Sequence, residues 1–175
     1  MGFGKAFLLS LTAFVGLNFI FTIINYAIGD GFDVLFSTIE NYPLMILYYL
    51  FGSIISTPSM ILILTIAEPI LISFELSSFL LGIGFLTALL IAAILAGRFG
   101  ESKGQCIGGW VLTSVISVTL VIIGASISAT LESTISDLYD WSSFDILLIY
   151  SIISCLVNII FYGFFALLIS KIEYY

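Results

Sequence analysis

The chain contains no histidine and only four basic residues, Lys5, Arg98, Lys103 and Lys171. The missing imidazole removes the side chain that most often acts as a general base near neutral pH. It also removes the commonest ligand for zinc, haem or copper. No metal and no cofactor is therefore expected. So few cations cannot form the basic patch that nucleic acid requires. They also cannot form the Lys and Arg cluster that clamps anionic lipid headgroups. Cysteine is scarce as well. Cys106 and Cys155 adjoin or lie within apolar stretches and read as small buried packing residues rather than a disulfide. Serine and threonine are plentiful, but without histidine or a well-placed lysine they form no nucleophilic triad. No nucleophile elbow, phosphate loop, dinucleotide fingerprint or zinc signature is present. The chain reads as non-enzymatic.

Charge of either sign is the next shortage. Charged residues make up 9% of the 175 positions and hydrophobic residues 61%, where a soluble domain carries about a quarter charged. The mean hydropathy is +1.27. A water-facing surface cannot be built from this inventory, so the chain is expected to be one integral membrane domain spanning residues 1–175. The lipid bilayer is its first partner. Lys5 followed by an apolar run has the look of a signal peptide. The run over residues 6–28 is long enough to span, however, and lacks a clear small-residue cleavage site, so it reads as a retained first helix.

What the chain has in abundance is continuous apolar sequence. Five blocks stand out, at residues 6–28, 43–74, 79–97, 107–131 and 146–170. A spanning helix needs about 20 apolar residues, and alternating barrel strands do not give unbroken runs of this kind. The expected fold is an all-α polytopic transmembrane helical bundle with about five to six membrane segments. Four blocks fit one span each. The second is too long for one ordinary span and contains Pro58 and Pro69, either of which can break a helix.

The connections differ in charge. Residues 29–42 carry Asp30, Asp33 and Glu40; residues 132–145 carry Glu132, Asp137, Asp140 and Asp145; neither contains a cation. Both mix acids with aromatic and aliphatic residues, as an interfacial helix does. Residues 98–105 contain half of the basic residues. Cytoplasmic loops are enriched in Lys and Arg, so both termini and the basic connection are expected to face the cytoplasm, in the cytoplasmic membrane, with the acidic connections outside. That orientation requires the second block to return to the side it started from. It could do so as two short helices meeting near Ser56, Thr57 and Pro58, or as a hairpin that dips in and leaves four full spans. The rival is five plain spans, with Glu68 and Glu75 in a cytoplasmic turn.

Few residues offer chemistry. Glu68 is the sharpest candidate: an intramembrane carboxylate is costly and faces a cavity or a partner. Asn18 and Asn25 lie seven positions apart on one face of the first block, and Asn158 lies in the last. Together with Glu68 they form the candidate intramembrane polar site. The fourth block carries a stripe of small residues at Gly109, Thr113, Ser117, Gly124 and Ser128, preceded by the Gly104 and Gly108 pair. Such a stripe lets helix backbones approach closely, within this chain, in a homo-oligomer or against another membrane subunit. Tyr42, Trp110, Trp141, Tyr174 and Tyr175 lie near block ends, where aromatic residues anchor helices at the interface. The expected function is a non-catalytic accessory or scaffold subunit packing through its small-residue faces. The alternative is a transporter or channel for a small solute or cation, with Glu68 as its internal site.

Overall fold

The computed structural model describes residues 2–29, 31–71, 74–139 and 141–170. Asp30, Asp140, Lys171, Tyr174 and Tyr175 lie outside the described residues. Every regular element among the described residues is a helix. They run in the order α1 (Gly2–Ile28), α2 (Phe32–Asn41), α3 (Met45–Phe51), α4 (Pro58–Leu62), α5 (Glu68–Leu71), α6 (Leu76–Phe99), α7 (Lys103–Ile127), α8 (Ala129–Tyr139) and α9 (Phe144–Ile169). A 3-10 turn (Gly52–Ile55) extends α3, and a π turn (Ile63–Ala67) joins α4 to α5.

Helices α1, α6, α7 and α9 are each long and apolar enough to cross a membrane. At 1.5 Å per residue they measure roughly 36–40 Å, against a hydrocarbon core of about 30 Å. Their inner faces are rich in small and polar residues, with a few large ones such as Phe14, Trp110 and Tyr162 among them. In α9 the buried positions include Ser151, Ser154, Cys155, Asn158, Gly163 and Ala166. Its outer face exposes Ile149, Ile153, Leu156, Ile160 and Phe164. This distribution suits a lipid solvent, where close backbone approach drives association and large apolar groups face acyl chains.

Close approach fixes the helix directions. Gly109 of α7 lies against Ala6 of α1, and a Cβ there would come within 2.9 Å of the Ala6 methyl. Gly97 of α6 lies against the backbone of Ala166 in α9. Farther along, Gly84 of α6 meets Phe21 of α1. The N-terminal ends of α1 and α7 and the C-terminal ends of α6 and α9 therefore share one end of the bundle. Lys5, Arg98 and Lys103 sit there. The opposite end holds α2 and α8 with their acids. Helices α1 and α6 run antiparallel and have the most extensive contact in the fold.

Five straight spans would make α1 and α6 run the same way; the antiparallel pairing goes instead with a broken second block, the other arrangement that the sequence offers. The second apolar block leaves from and returns to the acidic end. Its two halves, Met45–Ile55 and Pro58–Ala67, are bent by 96°. Each is roughly 15–17 Å long, about half the hydrocarbon thickness, so the four long helices and the one bent pair stay close to the expected five to six segments. The local cause is Pro58. A proline disfavours helical backbone at the preceding residue, and Thr57 is extended, with φ −73° and ψ 158°. Pro58 then starts α4, where its missing N–H is harmless, and the Thr57 side chain accepts the Met60 N–H at 3.3 Å.

Helices α2 and α8 lie in the acidic connections. Gly31, at φ +88°, makes the left-handed turn into α2 that other residues resist. Helix α2 buries Leu35 and exposes Phe32, Val34 and Phe36.

Candidate functional site

The bend in the second block, here termed the elbow, is where backbone is freed inside the bundle. The 3-10 turn packs against α6, α7 and α9, and α3 packs against α1 and α7. Gly52, Ser53, Ile54, Ile55 and Ser56 are all buried. A helix that stops leaves its last carbonyls without intrahelical donors, and at this depth water cannot be assumed to serve them. Asn158, near the middle of α9, supplies the donors. Its side-chain amide donates to the Ile54 carbonyl at 2.8 Å and to the Ser56 carbonyl at 3.0 Å. The Asn158 backbone carbonyl accepts from the Trp110 indole N–H of α7 at 3.3 Å.

A second set of contacts holds the elbow from the acidic end. The Ser56 and Tyr139 hydroxyls share a hydrogen bond at 2.5 Å. The Tyr139 ring stacks on Trp141, centroids 4.7 Å apart, and Trp141 stacks on Tyr150 at 5.4 Å. Burial pushes the Tyr139 phenol up to about 12, and the Ser56 hydroxyl offsets part of that rise. On the other side, the Tyr26 and Tyr49 hydroxyls are 2.9 Å apart.

Several buried polar atoms find no hydrogen-bond partner among the described residues. They include Asn158 Oδ1, Ser53 Oγ, Tyr162 Oη and Ser151 Oγ. Asn158 and Tyr162 are one helical turn apart on α9, and Ser53 adjoins the Ile54 carbonyl that Asn158 binds. Helix α7 behaves differently. Its hydroxyls fold back on their own helix: Thr113 donates to the Gly109 carbonyl at 3.0 Å, Ser114 to Trp110 at 3.0 Å and Ser117 to Thr113 at 2.7 Å. The polar face of α7 is satisfied locally, whereas that of α9 retains open hydrogen-bonding capacity.

The four polar residues singled out in the sequence do not form one cluster. Asn158 joins the elbow. Asn18 is buried and donates to the Phe14 carbonyl of its own helix at 2.9 Å. Asn25 Oδ1 is buried without a partner, one helix away. Glu68 is half-buried and lines a cavity with Met60, Ile63, Leu64, Leu138 and Tyr139. Glu75 is exposed at the start of α6 and accepts from Ser78 at 3.3 Å.

The small-residue stripe of α7 is consumed inside the fold. Gly108 meets Phe3, Gly109 meets Ala6, and Gly124 meets Leu47 and Leu131. Thr113 and Ser117 are fully buried. Ser128 caps rather than packs, accepting the Leu131 N–H at 3.2 Å. Only Gly104 of the group has open space around it. Trp110 is also differently placed from its interfacial expectation: it is fully buried, edge-on to Tyr162 at 6.1 Å. Both cysteines are free and buried.

No protein-family model matches the chain, and no curated protein or solved structure matches it.

Two elements escaped the sequence reading. The Asn158 bridge to the elbow had no local signal beyond an amide in an apolar helix. The Tyr139, Trp141 and Tyr150 stack was foreshadowed only by aromatic residues beside the acidic connection.

Proposed function

We propose that this is a non-catalytic multi-pass membrane protein whose elbow and α9 face form a pathway for a small cation or polar solute. One observation carries the reading. Asn158 holds the broken backbone of the elbow at mid-bundle, while its own Oδ1, Ser53 Oγ and Tyr162 Oη remain buried and unpartnered. Non-helical backbone at membrane depth is tolerated where it is enclosed by protein or lines a watered cavity, and broken helices near the midplane mark transport sites. The unpartnered oxygens would be costly in a purely structural core. They suit a passing solute that exchanges water for protein oxygens.

The charge layout supports a cation. Asp33, Glu40, Glu75, Glu132, Asp137 and Asp145 lie at the end of the bundle that holds α2 and α8. A negative field there raises the local cation concentration. Under the positive-inside rule the end with Lys5, Arg98 and Lys103 is cytoplasmic in a cell membrane, so the acidic mouth faces outward.

The accessory-subunit reading keeps one specific support, the open space beside Gly4 and Gly104 in the first turns of the neighbouring helices α1 and α7. A second membrane subunit or a second copy would find a backbone-accessible notch there.

The test is flux into vesicles reconstituted with the full chain. The expected result is uptake of a monovalent cation or a small neutral solute above protein-free vesicles, reduced by Asn158→Leu in a folded variant. Wild-type vesicles as tight as empty ones would remove the pathway and leave the subunit reading.

A further inference from the structure

Glu68 stands apart from the polar face of α9, in a cavity of about 280 Å³ between the returning limb of the elbow and the end of α8. The π turn delivers it there. In an α-helix, residues five apart point about 140° away from each other. Within the π turn the Glu68 N–H bonds to the Ile63 carbonyl, which stacks Glu68 above Ile63 instead. Met60, Ile63, Leu64 and Glu68 thereby share one face of an open pocket, and Leu138 and Tyr139 line the other. Single π turns inside α-helices frequently sit at functional sites.

The lining has a definite chemistry. Among the described residues that line it, Glu68 is the one carboxylate, and no described residue pairs with it. Tyr139 is the other polar side chain, and its hydroxyl is already bonded to Ser56. The remaining walls are aliphatic or thioether. An inorganic cation needs several oxygen ligands, and no group of three acids or thiols that could hold a metal occurs among the described residues. An organic cation needs only one counter-charge and brings its own apolar surface. An aromatic ring such as Tyr139 attracts cations over its face, and a methionine adapts to irregular shapes. A cavity of about 150 Å³ is enough for benzene, so this one suits one or two rings.

We propose that the Glu68 cavity binds a lipophilic organic monocation of one or two rings, with the Glu68 carboxylate as its counter-ion. As a cargo site it rests on the translocation reading above; as a binding site it stands on the cavity alone.

The test uses the full chain in lipid nanodiscs and the fluorescent monocation dimethylaminostyryl-N-methylpyridinium. Wild type should bind the dye saturably, and Glu68→Gln should weaken binding about tenfold or more. The uncharged dimethylaminostilbene analogue should not distinguish the two proteins. Leu138→Trp, which fills the cavity without touching the charge, should weaken dye binding as well. Equal dye affinity in wild type and folded Glu68→Gln overturns the proposal, as does the absence of saturable binding to folded wild type. If Glu68→Gln fails to fold, undiminished binding by Leu138→Trp overturns it. The two readings separate cleanly. Glu68-dependent dye binding in a protein that passes no solute removes the pathway and leaves the site, and flux without dye binding does the reverse.

Discussion

Asn158 and Ile54 are 104 positions apart and joined by a 2.8 Å hydrogen bond at the centre of the bundle. The same amide reaches Ser56, so one side chain of α9 serves two carbonyls that the broken second block cannot serve itself. Replacing Asn158 with Leu leaves both buried and unpaired. The expected cost is about 1–3 kcal/mol for each orphaned group, read as a lower melting temperature in detergent. Asn158→Asp keeps the shape but turns two donors into acceptors facing carbonyls, and should be at least as damaging. A melting temperature unchanged in both variants would show that the elbow does not depend on α9.

The glycines give a paired prediction. A methyl at Gly97 would meet the Ala166 carbonyl, so Gly97→Ala should force α6 and α9 apart at about 1–3 kcal/mol. Gly104 has open space, and Gly104→Ala should fold as well as wild type. Thermal melts of the two variants side by side check this. Similar losses in both would mean that helix α7 is packed more tightly at its start than described.

Sidedness can be read by labelling. In a Cys106→Ser, Cys155→Ser background, Glu75→Cys and Asp137→Cys should react with an impermeant maleimide on intact cells. Gly104→Cys should react only after lysis. All three positions are exposed. The Cys106 Sγ donates to the Gly97 carbonyl at 3.2 Å, a bond that serine can keep. Labelling of Glu75→Cys only after lysis, with Gly104→Cys labelled on intact cells, would invert the proposed orientation, and labelling of both from the same side would mean that α6 does not cross.

The Tyr139 phenol gives a pH prediction. Its value is raised by burial to about 12 from the ordinary 10, so folding favours the neutral form. The stability it contributes is fully present below pH 10 and is lost as pH rises towards 12. Tyr139→Phe should lessen the alkaline loss and cost about 0.5–1.5 kcal/mol at neutral pH through the missing Ser56 bond. Denaturation curves at neutral and alkaline pH measure both effects. An alkaline loss as steep in Tyr139→Phe as in wild type would assign it to other groups.

The parts of this fold that were legible in the sequence are those governed by a length or a local steric rule. Bilayer thickness sets the span of the long helices, so the unbroken apolar runs near α1, α6, α7 and α9 announce them. The break near Ser56 and Thr57 follows from Pro58, whose ring acts on its immediate neighbour. The direction of the Gly109, Thr113 and Ser117 stripe was not legible, because a small face looks the same whether its partner lies within the chain or outside it. The Asn158 bridge was not legible either, since it depends on how deep the elbow reaches. The aim of Glu68 depends on one extra residue in a helical turn, which no periodicity marks in advance.

The bridge also sets an order of events. Helix α9 is made after all the other described helices, and it alone brings the amide that serves the elbow. Until it inserts, Pro58 already breaks the helix, but the Ile54 and Ser56 carbonyls lack the partner that holds the broken segment inside the bundle. The chain therefore commits to its topology late. A ribosome that stalls before α9, or a truncation that removes it, should leave a product whose middle segment is free to cross in the wrong sense, and that membrane quality control can recognise by its unserved backbone.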